Sequence, residues 1–165
     1  SRVVVRLLGA RQDAEDVVHD AFVVVFSKLT TLREPSAFRG WLMRIAIVRV
    51  HRVIRRRRLQ RALGLLPAAD DAGLERLAAR GASPEVRADL AVVDRVLGRM
   101  PANERVAWVL RMVEGHRLEE VAELCGCSLA TAKRRIAAAQ RAVAAVVDVQ
   151  LPATERRVNQ GAKNP

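Results

Sequence analysis

The sequence predicts an all-α protein: two small helical domains joined by a flexible linker, the C-terminal one containing a helix-turn-helix. Apolar residues recur at three-to-four spacing over most of the chain, the period of a helix with one buried face. Ala, Arg, Val and Leu dominate the composition, a mix that favours helix over sheet although valine pulls weakly the other way. From Leu59 to Ser83 the period is interrupted by Gly64, Pro67, Asp70, Asp71, Gly73 and Gly81, the texture of a linker. A length of 165 residues suits two small domains. The expected boundaries are 1–60, a linker at 61–84, a second domain at 85–150 and a disordered tail at 151–165.

Ser1 stands in what already reads as helix, and an upstream segment is expected. Asp13 is a suitable N-cap, with Asp16 three residues on as an imperfect capping box. A helix is predicted from Ala14 to about Lys28, with Val18, Ala21, Phe22, Val25 and Leu29 on one side. Val23 to Phe26 alone would suit a strand; the longer period outweighs it. Glu34-Pro35-Ser36 marks a turn and a helix start. The helix that follows carries Trp41, Leu42, Ile45, Ala46, Val50 and Val53 on one side and ends in the run Arg55 to Arg58. A short helix is expected within the linker, around Leu74 to Ala79.

Order returns at Ser83-Pro84-Glu85, where a cap, a first-turn proline and an acid near the positive end of the helix dipole coincide. Val86, Leu90, Val93, Leu97 and Met100 follow at helical spacing until Pro101. A further helix is predicted to stop at Gly115, and a short one runs from Leu118 to Cys125 with Gly126 as its left-handed C-terminal residue. Ser128 caps a last long helix to about Asp148.

The formal net charge is +11, which points to a polyanionic partner, nucleic acid before membrane surface. Aromatics at 3% argue against a stacking platform for generic single strands. Cys125 and Cys127 are too few for a disulfide scaffold and lack the histidines of a zinc site, so no metal or other cofactor is expected and a reducing cytosol fits best. Cys127 is expected in the core of the turn as an inert thiol. No apolar run approaches a membrane span. With no glycine-rich phosphate loop, no nucleophile elbow and His19, His51 and His116 scattered, no enzyme is expected.

Three constellations carry the functional reading. In the helix-turn-helix, Ala122 is small where the helices cross, and Val121, Cys127, Ala132 and Ile136 suit the shared core. Its second helix opens with Ser128, Thr131, Lys133, Arg134 and Arg135, side chains able to reach phosphates or base edges in a major groove. In the preceding domain, Arg49, Arg52 and Arg56 form a stripe, with Arg44, His51, Arg55 and Arg58 beside it and no acid between Arg39 and Arg58. Such uncompensated charges repel unless an anion is near, and phosphate is the natural one. Finally, Asp16 and Asp20 are four apart on one helix face. Capping explains Asp13 but Asp20 lies too far into the helix, so a basic protein partner competes evenly with plain solvation.

The order of these parts resembles the extracytoplasmic-function sigma factors of the sigma-70 family. The likeness runs through DAEDVVHDAF at Asp13 to Phe22 and SAFRGWLMRIA at Ser36 to Ala46. It resumes from Leu97 to Ser128 and continues into LATAKRRI. Two separate motifs in order are more specific than a lone helix-turn-helix, which leaves other regulators open. The resemblance implies that Asp16, His19, Asp20 and Val23 dock on the β′ clamp helices of core RNA polymerase. It implies that Ser36, Ala37, Phe38 and Arg39 receive a flipped base of the −10 element, while Arg44, Arg49, Arg52, Arg55 and Arg56 steer the opening duplex. Ser128, Thr131, Lys133, Arg134 and Arg135 would hold the −35 element. Promoter DNA, core polymerase and an anti-sigma factor are the implied partners, in the cytoplasm. His19 stands where the family usually has Gln. Val48 stands where it often has Asn, at a position tied to −10 recognition, and a valine there predicts a different or weak −10 preference. Ala137 to Ala139 replace the arginines usual there, which predicts fewer −35 contacts. The rival readings are a helix-turn-helix regulator acting without polymerase and a degenerate sigma-like protein that binds polymerase but melts nothing.

Overall fold

A computed structural model describes residues 2–9, 11–65 and 83–150. The expected helix at 74–79, most of the expected linker and the tail lie outside the described residues. Every regular element described is a helix: α1 (Arg2–Leu8), α2 (Arg11–Lys28), α3 (Phe38–Ala62), α4 (Pro84–Arg99), α5 (Ala102–Trp108), α6 (Leu118–Leu124) and α7 (Leu129–Gln150). Short 3-10 turns at Leu29–Thr31 and Pro35–Ala37 link α2 to α3, and a π-helical turn, Val109–Val113, extends α5.

The first half is a three-helix cluster. Gly9, at φ 74°, ends α1 by donating its N–H to the Val5 carbonyl at 2.8 Å, in a region of backbone space closed to most side chains. α2 begins at Arg11, two residues before the expected cap, so Asp13 lies inside the first turn and pairs instead with Arg57 of α3. Its buried face is Ala14, Val17, Ala21 and Val25. This differs from the predicted stripe: Phe22 and Leu29 are exposed, at 44% and 46%, and Val18 is half-buried. The physical reason is that α2 is apolar almost all round from Val17 to Phe26. Its neighbours α1 and α3, rather than its own period, select the buried face.

α3 runs past Arg58 to Ala62, and Gly64, at φ 71°, closes it as Leu65 N–H reaches the Gln60 carbonyl at 2.8 Å. Ala46, Ile47, Val50 and Ile54 are buried, while Trp41, Leu42, Ile45 and Val53 are only partly covered. The helix is covered from two directions, by α1 and α2 and by α5 and α6 of the second half. Ile47 and Ile54 therefore join the core although the single predicted stripe omitted them.

In the second half the caps form as the sequence implies. Ser83 is in extended conformation and its Oγ accepts from Val86 N–H. Gly115 (φ 76°) ends the π turn, with His116 N–H on the Leu110 carbonyl at 3.0 Å. Gly126 (φ 60°) ends α6, with Cys127 N–H on the Ala122 carbonyl at 3.0 Å. α7 packs along α4, α5 and α6, and the Trp108 indole N–H donates to Gln140 Oε1 at 2.7 Å. Leu97, Val106, Val109, Leu110 and Val121 are fully buried, each contributing about 1.5–3 kcal/mol of apolar burial. Cys127 and Ile136 are half-buried at the edge of this core.

The two halves lie against each other. α3 packs on α5 and α6, and α1 meets the π turn, where Arg6 Nη1 stands 2.5 Å from Glu114 Oε1. The buried apolar residues of both halves form one cluster. No described helix is long and apolar enough to cross a membrane.

Candidate nucleic-acid and protein interfaces

The outer face of α2 collects Asp16, His19, Asp20 and Val23, all exposed, over two turns of one helix. Their neighbours Phe22 and Phe26 are exposed too, Phe26 at 78%. Carboxylates thus lead into an exposed apolar patch on one helix face. Sequence reasoning missed both phenylalanines, assigning Phe22 to the core. The usable signal was that Phe26 stands three residues after Val23, on the same face.

The 3-10 turn at Pro35–Ala37 delivers the chain to α3 with Ser36, Ala37 and Arg39 exposed and Phe38 half-buried. Ser36 Oγ donates to Glu34 Oε1 at 3.0 Å, and the Phe38 ring stands 6.2 Å from that of Trp41, tilted by 46°. Arg44, Arg52, Arg55, Arg56 and Arg58 are exposed and Arg49 is half-buried, so α3 presents the predicted basic surface. Arg57, inside the same run, turns the other way: it pairs with Asp13 and donates to the Leu8 carbonyl at 2.9 Å. His51 is half-buried between the halves. Its pKa is pushed down from 6.5 to about 4 by burial, then by the positive charges of Arg55 and Arg135. Its Nδ1 is buried without a hydrogen-bond partner.

At the start of α7, Ser128 Oγ accepts from Thr131 N–H at 3.2 Å and donates to Thr131 Oγ1 at 2.9 Å. Thr131 Oγ1 in turn accepts from Arg134 Nη2 at 3.2 Å. Ser128 and Thr131 thus cap the helix and orient an arginine. Lys133 and Arg134 are exposed and Arg135 is half-buried. Thr131, Arg134 and Arg135 line a groove of about 480 Å³ together with Arg141 and Glu104. Arg141 was missed from the sequence, although it stands seven residues after Arg134 and so returns to the same face.

A second cavity, of about 770 Å³, lies between the halves. Ser36, Ala37, Arg39 and Arg44 form one wall and Glu114, His116, Glu120 and Glu123 another. Glu120 Oε2 accepts the Arg117 backbone N–H at 2.8 Å, which holds its carboxyl below the usual range. Cys125 and Cys127 are free and half-buried. Burial, reinforced by Cys127 and opposed by Arg135, pushes the Cys125 thiol up to about 11, which argues against a reactive thiolate there. Among the described residues no group of three or more His, Cys, Asp or Glu side chains is placed to hold a metal ion.

Residues 1–60 match the family model for Sigma-70 region 2, and residues 90–143 match that for Sigma-70, region 4. The RNA polymerase sigma-H factor of Pseudomonas aeruginosa is 31% identical over 147 residues, covering 86% of this chain and 76% of the relative. The RNA polymerase sigma factor CnrH of Cupriavidus metallidurans is 30% identical over 144 residues, covering 82% and 74%. In fold, the chain is similar to the sigma factor RpoE of Bartonella quintana, solved in complex with the anti-sigma factor NepR. The TM-score is 0.64 at 22% identity, covering 90% of this chain and 89% of that one.

Proposed function

The chain belongs to the sigma-70 family, among its extracytoplasmic-function sigma factors, and from that premise we propose how its surfaces divide the work of transcription initiation. The protein binds core RNA polymerase and directs it to specific promoters. It acts by binding, and the polymerase makes the RNA. The working compartment is that of the polymerase, the cytoplasm.

The α2 face of Asp16, His19, Asp20 and Val23, extended by Phe22 and Phe26, docks on the β′ clamp helices. The carboxylates meet basic side chains and the phenylalanines are desolvated on contact. The turn at Ser36, Ala37, Phe38 and Arg39 captures an unstacked −10 base. Capture offsets the cost of unpairing it. Arg44, Arg49, Arg52, Arg55 and Arg56 track phosphates, each neutralised phosphate releasing counterion. Ser128, Thr131, Lys133, Arg134 and Arg135, with Arg141, hold the −35 element, Ser128 and Thr131 acting partly by orienting Arg134. Val48 is 53% exposed on α3, so its side chain is available at the surface near the −10 contacts. An anti-sigma factor, the partner with which the Bartonella sigma factor was solved, is the expected inhibitor. Residues 1–60 and 85–150 are the two functional units.

The observation that carries this reading is the co-occurrence, in one chain and in family order, of an exposed acidic-apolar helix face and two separate arginine faces. The test is run-off transcription with bacterial core polymerase over a pooled promoter library. Transcripts that require the protein and vanish with Asp16→Lys plus Asp20→Lys support it. Polymerase binding without transcripts favours the degenerate sigma-like reading. No polymerase binding, with duplex binding retained, favours a regulator acting alone.

A further inference from the structure

We infer that Glu104 of α5 is a base-reading residue of the −35 site: its carboxylate accepts the major-groove amino hydrogen of a cytosine while the Arg134 guanidinium takes the paired guanine. This rests on the reading of the start of α7 as the −35 face.

The groove along α7 is basic, yet one acid stands in it. Arg134, Arg135 and Arg141 line it with Thr131, and Glu104 joins them from the first turn of α5. Glu104 is half-buried. Among the described residues its carboxylate forms no ion pair and no hydrogen bond, although three arginines share its groove. Arg134 donates instead to Thr131 Oγ1 at 3.2 Å, which orients it. The carboxylate is thus an unused acceptor rather than the counter-ion of a neighbouring arginine. A first-turn acid also favours the α5 dipole, but that role requires no arginines around it. The methyl side chains of Ala137 and Ala138 leave the groove open, at about 480 Å³.

A groove that held phosphate alone would be weakened by this charge. The major-groove edge of a C·G pair is different. Guanine offers acceptors at O6 and N7, and cytosine offers a donor at N4. Arginine and glutamate side by side match that mixed edge, the guanidinium forked on guanine and the carboxylate on the cytosine amino group. Adenine also carries an amino donor, at N6, but its N7 acceptor repels a carboxylate beside it. Thymine presents only an acceptor, O4, and a methyl group. The acid therefore selects cytosine and penalises thymine, where two acceptors would meet with no proton between them. α7 alone cannot supply this reading, since its own residues in the groove are arginines, a threonine and alanines.

Transcription by core polymerase with the full chain, over promoters randomised in the −35 element and counted by barcode, tests this. Wild type should favour C over T at one position by roughly tenfold, the discrimination of one good base contact. Glu104→Ala should remove most of that preference and leave the other positions as they were. Glu104→Gln should move it toward adenine, which an amide matches at N6 and N7. Glutamine keeps the shape of the side chain, so this shift separates reading from folding, and thermal unfolding measures the dipole contribution on its own. N4-methylcytosine at the same position keeps the base pair but replaces the groove-facing hydrogen. It should weaken transcription with wild type and leave Glu104→Ala unaffected. Identical −35 preferences in wild type and both variants, or a gain shared by every −35 sequence in Glu104→Ala, would overturn the inference. A wild type that yields no transcript from any promoter would instead remove the sigma reading, and this inference with it.

Discussion

The Arg57 guanidinium joins the start of α2 to the end of α1, pairing with Asp13 and donating to the Leu8 carbonyl. One side chain of a four-arginine run thus holds the first half together, while Arg55, Arg56 and Arg58 face solvent. Arg57→Ala leaves Asp13 and a helix-end carbonyl without that partner. It should cost about 2 kcal/mol and lower Tm by roughly 4–8 °C. Arg56→Ala should leave Tm within about 1–2 °C of wild type, since surface substitutions stay within about 0.5 kcal/mol. Thermal unfolding followed by circular dichroism distinguishes the two.

Phe26 is 78% exposed, so its loss removes little packing from the folded chain. Phe26→Ser should keep the wild-type melting temperature yet weaken core polymerase binding about tenfold, as expected for an aromatic anchor at an interface. Equal affinity for wild type and variant in a polymerase pull-down or fluorescence titration would remove Phe26 from the docking face.

Arg52 and Arg56 are exposed on the same face of α3. If each neutralises one phosphate, each alanine variant should reduce the slope of log affinity against log salt by about 0.7–0.9. A changed affinity with an unchanged slope would mean contacts to bases or a structural role. Fluorescence anisotropy across a salt series reads this directly.

His51 titrates near 4 in the folded protein and near 6.5 when released. Between those values the unfolded chain binds a proton that the folded one refuses. The stability that depends on neutral His51 is therefore complete above pH 6.5 and declines as pH falls toward 4, by at most about 1.4 kcal/mol per pH unit. His51→Leu should flatten the dependence of Tm on pH over that window. A variant with the wild-type profile would show that another group controls it.

Much of the architecture was legible because local signals and tertiary packing agreed. Ser83 with Pro84, Gly115, Gly126 and Ser128 each stand where predicted, since a cap or a left-handed residue has few alternatives that satisfy the backbone. The candidate site was legible where charge alone defines it: exposed carboxylates on α2, uncompensated arginines on α3, basic residues at the start of α7. It was not legible where exposure depends on a neighbour. Phe22 reads as core by period, and only the packing of α1 and α3 on the opposite side of α2 leaves it outside. Arg57 cannot be told from Arg55, Arg56 and Arg58 by composition, because its role follows from where the end of α1 lies.

The sequence by itself determined that the chain is helical, where most helices begin and end, and that a basic protein carries one acidic helix face. Those properties follow from period, capping and charge, which act over a few residues. Only the tertiary structure decided which side of α2 is outward, which arginine of the run is structural, and that Glu114 meets Arg6 across 108 residues. Such pairings depend on how distant helices pack, and burial and desolvation are properties of that packing rather than of any segment alone.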